Sequence, residues 1–334
     1  MKKAQKKNKK PARQPLKLKK RWIIVLTSLG ILAAIALFVT FRMRDVFAGI
    51  YVPLDTINLR DEPLVLGEDA FSMLVIGSDR YGDGRQRERY HVGYGDLVVN
   101  DAEYPDSADV IMLIVVNPTE NATYVLSVPR DIRLEIVGYH VEDRLTSAYF
   151  WGGVTTLANT IQQFFNIPID FYMKLEMVGF ISLVDAIGGV SVYNDHLEFR
   201  HSGHHFPMGQ LDLNGSQALE YVRMRADDPQ QDAGRQRRQR DVIEALLSEV
   251  IGVSMLTHHQ EILRAVEENF TTNLRFAQMI SVATDYNQAL GNITNLYLEG
   301  GFVENIDDEN FMVIPETSRV YMSRRLRRHL ELPY

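Results

Sequence analysis

DVIMLIVVNPTENATYVLSVPRD, residues 109–131, holds two apolar runs and the turn between them. Asp109 opens the run VIMLIVV, whose length and β-branched content suit a buried strand, and Asn117-Pro118 ends it. TYVLSV at 123–128 is a second strand, close enough behind the first to pair with it as a hairpin. Pro129-Arg130-Asp131 follows at the strand's end. Upstream, FSMLVIGSD at 71–79 is another short apolar run that closes on Gly-Ser-Asp, a buried strand leading into a loop. Residues 80–107 are rich in Gly, Asp, Arg and Tyr without apolar periodicity, a long loop of the kind that is usually functional or disordered. Downstream, the pattern predicts a helix over 157–165, a strand over 171–178 and a helix over 180–187 stopped by Gly188-Gly189. A strand then begins at 190–192, and helices are predicted over 215–225 and 235–251. In the last of these Val242, Ile243, Leu246, Leu247 and Val250 share one face. Two more helices are expected near 276–290 and 318–330. Alternating strands and helices give an α/β class with a central mixed sheet flanked by helices.

The amino terminus divides the chain. Residues 1–21 carry eleven Lys/Arg and no acid; residues 22–41, WIIVLTSLGILAAIALFVTF, carry no charge. About 20 apolar residues at about 1.5 Å each span a hydrocarbon core, and a basic flank stays on the cytoplasmic side. The run is longer than a usual signal core and has no clear small-x-small cleavage site. The expected organisation is therefore a basic cytoplasmic tail (1–21), a transmembrane helix (22–41), a membrane-proximal connector (42–70) and an extracytoplasmic domain (71–334). Without the tail, 25 Lys/Arg face 43 Asp/Glu, a net charge of −18 against −7 for the whole chain. So acidic a domain is a poor partner for nucleic acid, and any anionic ligand must be held by a local basic cluster. The absence of cysteine removes disulfides and thiolate chemistry.

Basic residues do cluster. Arg130 follows a strand, Arg223 and Arg225 are two apart, and Arg235, Arg237, Arg238 and Arg240 crowd the start of the 235–251 helix. Guanidinium groups grip phosphate oxygens bidentately, and a helix amino terminus favours anions. By charge spacing alone these arginines equally suit a solvated helix face paired with Asp227, Asp228, Asp232 and Asp241. Asp79 and Asp109 stand at strand ends. They are either turn and capping residues or, if their strands are neighbours, ligands to one divalent cation. His201, His204 and His205 lack helical spacing and read as a solvated loop rather than a metal site.

Taken together and in order, these segments resemble the LytR-CpsA-Psr family. The resemblance rests on residues 71–79, on SADVIMLIVVNPTENATYVLSVPRD (107–131), on RLTSAYFWGG (144–153) and on IPIDFYMKLEMVGFISLVDAIGGVSV (167–192). It rests most on GQLDLNGSQALEYVRMRADDPQQDAGRQRRQRDVI (209–243). It implies a phosphotransferase that moves a glycopolymer (teichoic acid, capsule or related) from a polyprenyl-pyrophosphate lipid to peptidoglycan through a phosphodiester. The enzyme would be held in the membrane of a Gram-positive-type bacterium with its catalytic domain outside. It further implies that Arg130, Arg223, Arg225, Arg235, Arg238 and Gln239 grip the pyrophosphate and that Asp79 and Asp109 hold Mg²⁺ or Mn²⁺. Arg130 would act in catalysis, with Asp232 as general base on the acceptor hydroxyl. Four positions depart from the family pattern: Ser107 and Ala108 stand where a basic residue and Ser/Thr are usual, Arg144 replaces Lys, and Thr146 replaces Asn. For the lipid tail, the apolar faces around Phe164, Phe165, Phe171, Met177, Phe180 and Leu183 are candidates. The rival readings are a polyprenyl-pyrophosphate hydrolase, a non-catalytic wall-glycopolymer binding protein and a transcriptional regulator; the acidic exterior domain argues against the last.

Overall fold

The computed structural model describes residues 42–80, 106–195, 197–224, 228–230, 232–251 and 259–333. The basic tail and the apolar run at 22–41 lie outside these, and no described helix is long and apolar enough to cross a membrane. Most of the 80–107 loop also lies outside the described residues. The chain divides into two compact units, residues 1–45 and residues 46–334. In the second unit, the segment read as a connector is packed from its first residues. Val46 and Ile50 are buried, Tyr51 bridges to Thr272, and Arg60 Nε donates to Asp170 at 2.5 Å.

The opening apolar runs form the middle of a six-stranded sheet. β1 (Phe71–Arg80) runs antiparallel to β2 (Asp106–Asn117), which turns back into β3 (Ala122–Ser127). The turn is built by its own residues: the Asn117 Oδ1 accepts the Glu120 N–H at 2.7 Å, and Asn121 takes a left-handed φ of 49°. β6 (Phe171–Glu176) lies parallel to β1 on the other side. The edges are the short β11 (Phe270–Thr272) against β6 and β12 (Ile293–Leu296) parallel to β3. β1, β3, β6 and β12 therefore point the same way, and their carboxyl ends share one edge of the sheet. Ligands of open α/β sheets bind outside such an edge.

Side chains alternate between the two faces. Leu74 and Ile76 with Leu113, Val115, Leu126 and Tyr172 pack on one face beneath α1 (Leu145–Phe165) and α8 (Glu316–His329). Each such fully buried side chain contributes about 1.5–3 kcal/mol. α1 is longer than the predicted 157–165. Gly152-Gly153 looks like a stop but acts as a kink, with Gly153 at φ 62° and ψ −152°, and the helix continues through it. A second core joins α2 (Met177–Ala186), α3 (Gly215–Arg223), α4 (Asp232–Ile251) and α5 (His259–Asn269) to the β7–β10 pair (Val190–Asn194 with Gly209–Leu213). α3 opens on a capping box between Asn214 and Gln217.

The helix expected near 276–290 is two helices, α6 (Phe276–Asp285) and α7 (Asn287–Leu290). Between them the buried Tyr286 donates its hydroxyl to the Asp69 carbonyl at 2.7 Å. Three further hairpins were not foreseen: β4–β5 (Arg133–Ile136, Val141–Arg144), β8–β9 (Phe199–His201, His204–Phe206) and β13–β14 (Phe302–Ile306, Glu309–Val313). The histidine-rich stretch is thus a hairpin turning at Ser202-Gly203 rather than a loop. His205 faces Glu198 and His201 faces Glu220, and no group of three or more metal-ligating side chains occurs among the described residues.

Candidate active site

At the carboxyl edge of the sheet, four segments bring polar residues into one row. Glu176 at the end of β6 lies opposite Ser78 of β1, and Ser78 lies opposite Ala108 of β2. The β1–β2 register slips there: Gly77 pairs with Val110 and Ser78 with Ala108, so Asp109 is the extra residue of a β-bulge. Bulges next to sites serve to re-aim a side chain. Gly77 permits the slip, because a Cβ there would lie 2.9 Å from the Cβ of Val110. Asp109 meets Arg130, whose Nη1 donates to the Asp109 Oδ1 and whose Nε lies 3.8 Å from the Asp131 carboxylate. The Ser107 hydroxyl also donates to the Asp109 Oδ1, at 3.2 Å. Thr146 locks the two strands' ends together. Its hydroxyl donates to the Ala108 carbonyl at 3.2 Å and its N–H to the Arg130 carbonyl at 3.0 Å. Asp79 lies in the backbone register opposite Ser107, two residues from Asp109, so the strands carrying the two acids are neighbours. The side chains of Asp79 and Asp232 and the whole of Arg225 lie outside the described set.

α4 is brought to the same edge by Arg240. Its Nη1 donates to the Ser127 hydroxyl at 3.1 Å, three residues before Arg130, and its guanidinium lies 5.1 Å from the Tyr297 ring centroid. Arg235, in the first turn, is half-buried; Gln239, one turn on, is buried. Arg223 closes α3 beside Glu220, with 3.6 Å between charged atoms.

Arg238 is placed differently from the expectation. It is 0% exposed, and its guanidinium donates to the carbonyls of Tyr221 (3.0 Å) and Met224 (2.5 Å) and to the Asp228 carboxylate (2.6 Å). These donors hold the backbone on either side of Arg223 to α4, so Arg238 positions the basic segments from within rather than facing a ligand. Gly234 makes room for the partner, since a Cβ there would lie 1.9 Å from the Asp228 Oδ2. The apolar surroundings also push the buried Tyr221 phenol up to about 12.

Sequence reasoning named Arg240 and Asp228 only as members of a basic helix face and its acidic partners, without a place at this edge, and passed over the Lys174–Glu176 pair, whose charged atoms lie 3.7 Å apart at the end of β6. Alternate spacing on a strand ending at this edge was the available signal for the pair. Nothing in the spacing of the α4 arginines separates Arg240 from Arg238. Arg144 pairs with Glu309 at 3.0 Å and its guanidinium lies 5.0 Å from the Phe311 ring centroid.

The six apolar residues proposed for a lipid groove do not share one surface. Phe165 belongs to the core under α1, Phe171 to a small core with Tyr286, and Met177, Phe180 and Leu183 to the helical core. A continuous apolar strip does run along the opposite face of the sheet. Met73 and Val75 of β1, Ile114 of β2, and Met173 and Leu175 of β6 are only half-buried. Met73 and Ile114 abut the small core and Leu175 the helical core.

Comparison with known proteins agrees with this architecture. The model of the LytR_cpsA_psr family matches residues 54–327. A relative from Bacillus cereus (strain AH820), the polyisoprenyl-teichoic acid–peptidoglycan teichoic acid transferase TagU, is 35% identical over 261 residues, 78% of this chain and 79% of the relative. The protein of the same name from Enterococcus faecalis (strain ATCC 700802 / V583) is 34% identical over 264 residues, 79% and 80% of the two chains. The crystal structure of B. subtilis TagU superposes with a TM-score of 0.59 at 29% identity, covering 80% of this chain and 99% of that one.

Proposed function

The chain belongs to the LytR_cpsA_psr family, and from that premise we propose that it joins a glycopolymer, carried on polyprenyl pyrophosphate, to peptidoglycan. The observation that carries this reading is the Asp109–Arg130 pair on its bulge at the carboxyl edge of the sheet. An acceptor hydroxyl oxygen attacks the sugar-bearing phosphorus. The new P–O bond makes the phosphodiester, the bridging P–O bond breaks, and polyprenyl phosphate leaves with the electron pair. Such transfer is mainly positioning and charge neutralisation. Arg130 exchanges its carboxylate partner for phosphate oxygens, and Arg223, Arg225, Arg235 and Gln239 supply further donors. Asp232 takes the hydroxyl proton. The half-buried strip of Met73, Val75, Ile114, Met173 and Leu175 suits the start of the prenyl chain.

A hard divalent cation fits the donor set. Asp109 offers a carboxylate that is one-quarter exposed, Asp79 sits on the adjoining strand, and Mg²⁺ takes one or two carboxylates plus phosphate oxygens. Bound there, Mg²⁺ or Mn²⁺ would neutralise charge on the transferred and leaving phosphates. Residues 22–41 serve as a single membrane span with the tail inside and the domain outside, which confines the enzyme to the surface bearing its lipid substrate.

The test is product formation from a synthetic polyprenyl-pyrophosphate glycan, peptidoglycan fragments and Mg²⁺. Acceptor-dependent phosphodiester product supports the transferase. Lipid cleavage that ignores acceptor makes the protein a hydrolase instead, and lipid bound without turnover makes it a binding protein.

A further inference from the structure

Beside the Arg130–Asp131 turn, the stretch after β12 carries apolar side chains into solvent: Tyr297 is 56% exposed, Phe302 52% and Val303 64%. Its place is fixed from two sides. The Tyr297 ring rests on the guanidinium of the buried Arg240, which is tied to Ser127. The β13–β14 hairpin is tied to the site turn, because the Met312 N–H donates to the Asp131 carbonyl at 2.8 Å and Val303 pairs with Met312. Exposed aromatic groups held rigidly beside a site mark a binding surface rather than scattered surface residues.

The charges say what binds there. Residues 297–310, YLEGGFVENIDDEN, contain five acids and no base. Cations packed against this stretch are already engaged: Arg240 with Ser127 and the Tyr297 ring, Arg144 with Glu309, and Arg133 with Glu142. Such a rim repels an anionic polymer and suits an uncharged sugar, whose C–H face stacks on an aromatic ring while its hydroxyls donate to carboxylates. We infer that Tyr297, with Phe302 of the adjoining β13–β14 hairpin, docks the glycan strand of the acceptor and presents its hydroxyl to the Arg130 edge. This deepens the transferase reading and rests on it.

Full-length protein in detergent is titrated by calorimetry with an uncharged N-acetylhexosamine tetramer and, separately, with a glycerol-phosphate oligomer. Acceptor and donor KM are measured for wild type, Tyr297→Ala, Phe302→Ala and Tyr297→Trp, with thermal unfolding as the folding control. The tetramer binds wild type, and Tyr297→Ala weakens it and raises acceptor KM about tenfold, the scale of one lost stacking contact. Donor KM stays unchanged, Phe302→Ala shows a smaller effect in the same direction, and Tyr297→Trp restores binding. No tetramer binding, equal affinity in Tyr297→Ala, binding of the anionic oligomer that Tyr297→Ala weakens, or a rise in donor KM alone overturns the inference. If wild type transfers nothing, the transferase reading fails, while Tyr297-dependent tetramer binding still decides whether the rim takes sugar.

Discussion

Arg130 and Arg238 carry the same charge in opposite circumstances. Arg130 is about a quarter exposed and shares two carboxylates; Arg238 is sealed in with Asp228 and two backbone carbonyls. Removing one partner of a buried pair leaves an uncompensated charge, at a cost of about 3–5 kcal/mol. Asp228→Asn is therefore expected to lose about 3 kcal/mol in urea unfolding; a loss below about 1 kcal/mol, the scale of an exposed pair, would show that the clamp does not hold the fold. His329 gives a pH-dependent counterpart. Burial lowers its pKa from the ordinary histidine value, against the opposing pull of Glu120, whose carboxylate lies 2.9 Å from the Nδ1. With the folded value depressed, its stabilisation is present above the unfolded pKa near 6.5 and is lost as pH falls through the folded value. An NMR titration should place His329 below free histidine; a value above it would contradict this. The clustering of arginines was legible in the sequence, but their division of labour was not. Two of Arg238's partners are backbone carbonyls, which carry no sequence signature.

At the scale of elements, the hairpin of β2 and β3 was legible because its residues make their own turn. The bulge at Asp109 was not, since it depends on how two strands far apart in sequence register. Gly77 is its hinge. Gly77→Ala is expected to push Val110, shift Asp109 and lower transfer about tenfold or more, given how steeply catalysis depends on placement. Unchanged turnover in this variant would remove the bulge from the account. The amino-terminal half of α1 was hidden by Gly152-Gly153, and the helix at 276–290 was read as continuous because Tyr286 breaks it through a tertiary contact with Asp69. The histidine-rich hairpin was obscured by its polarity: only Phe199 and Phe206 face its core.

For the whole molecule, charge separates a strongly basic tail from residues 22–334, which carry a net −18. The proposed anchor predicts that protein lacking residues 1–41 appears in the soluble fraction, while the full chain sediments with membranes. The truncated domain should still turn over a short-chain, water-soluble donor, because every site segment lies beyond residue 70. Soluble full-length chain would refute the anchor. The α/β class and the order of the main strands and helices followed from apolar periodicity. The half-buried apolar strip did not, because it is assembled from alternate residues of three strands that meet only in the folded sheet.

The proposed function rests on acceptor-dependent phosphoryl transfer at the Asp109–Arg130 edge. Its most direct test is the single-turnover rate of the full-length enzyme with saturating polyprenyl-pyrophosphate glycan, with and without peptidoglycan fragments, in wild type, Arg130→Ala and Asp109→Asn. Acceptor-dependent product is expected in wild type and a loss of about 100-fold or more in each variant, the scale of removing a charge-stabilising group. Both variants should keep wild-type stability to within about 1 kcal/mol, since the pair is partly exposed. Folded variants that transfer at the wild-type rate would contradict it.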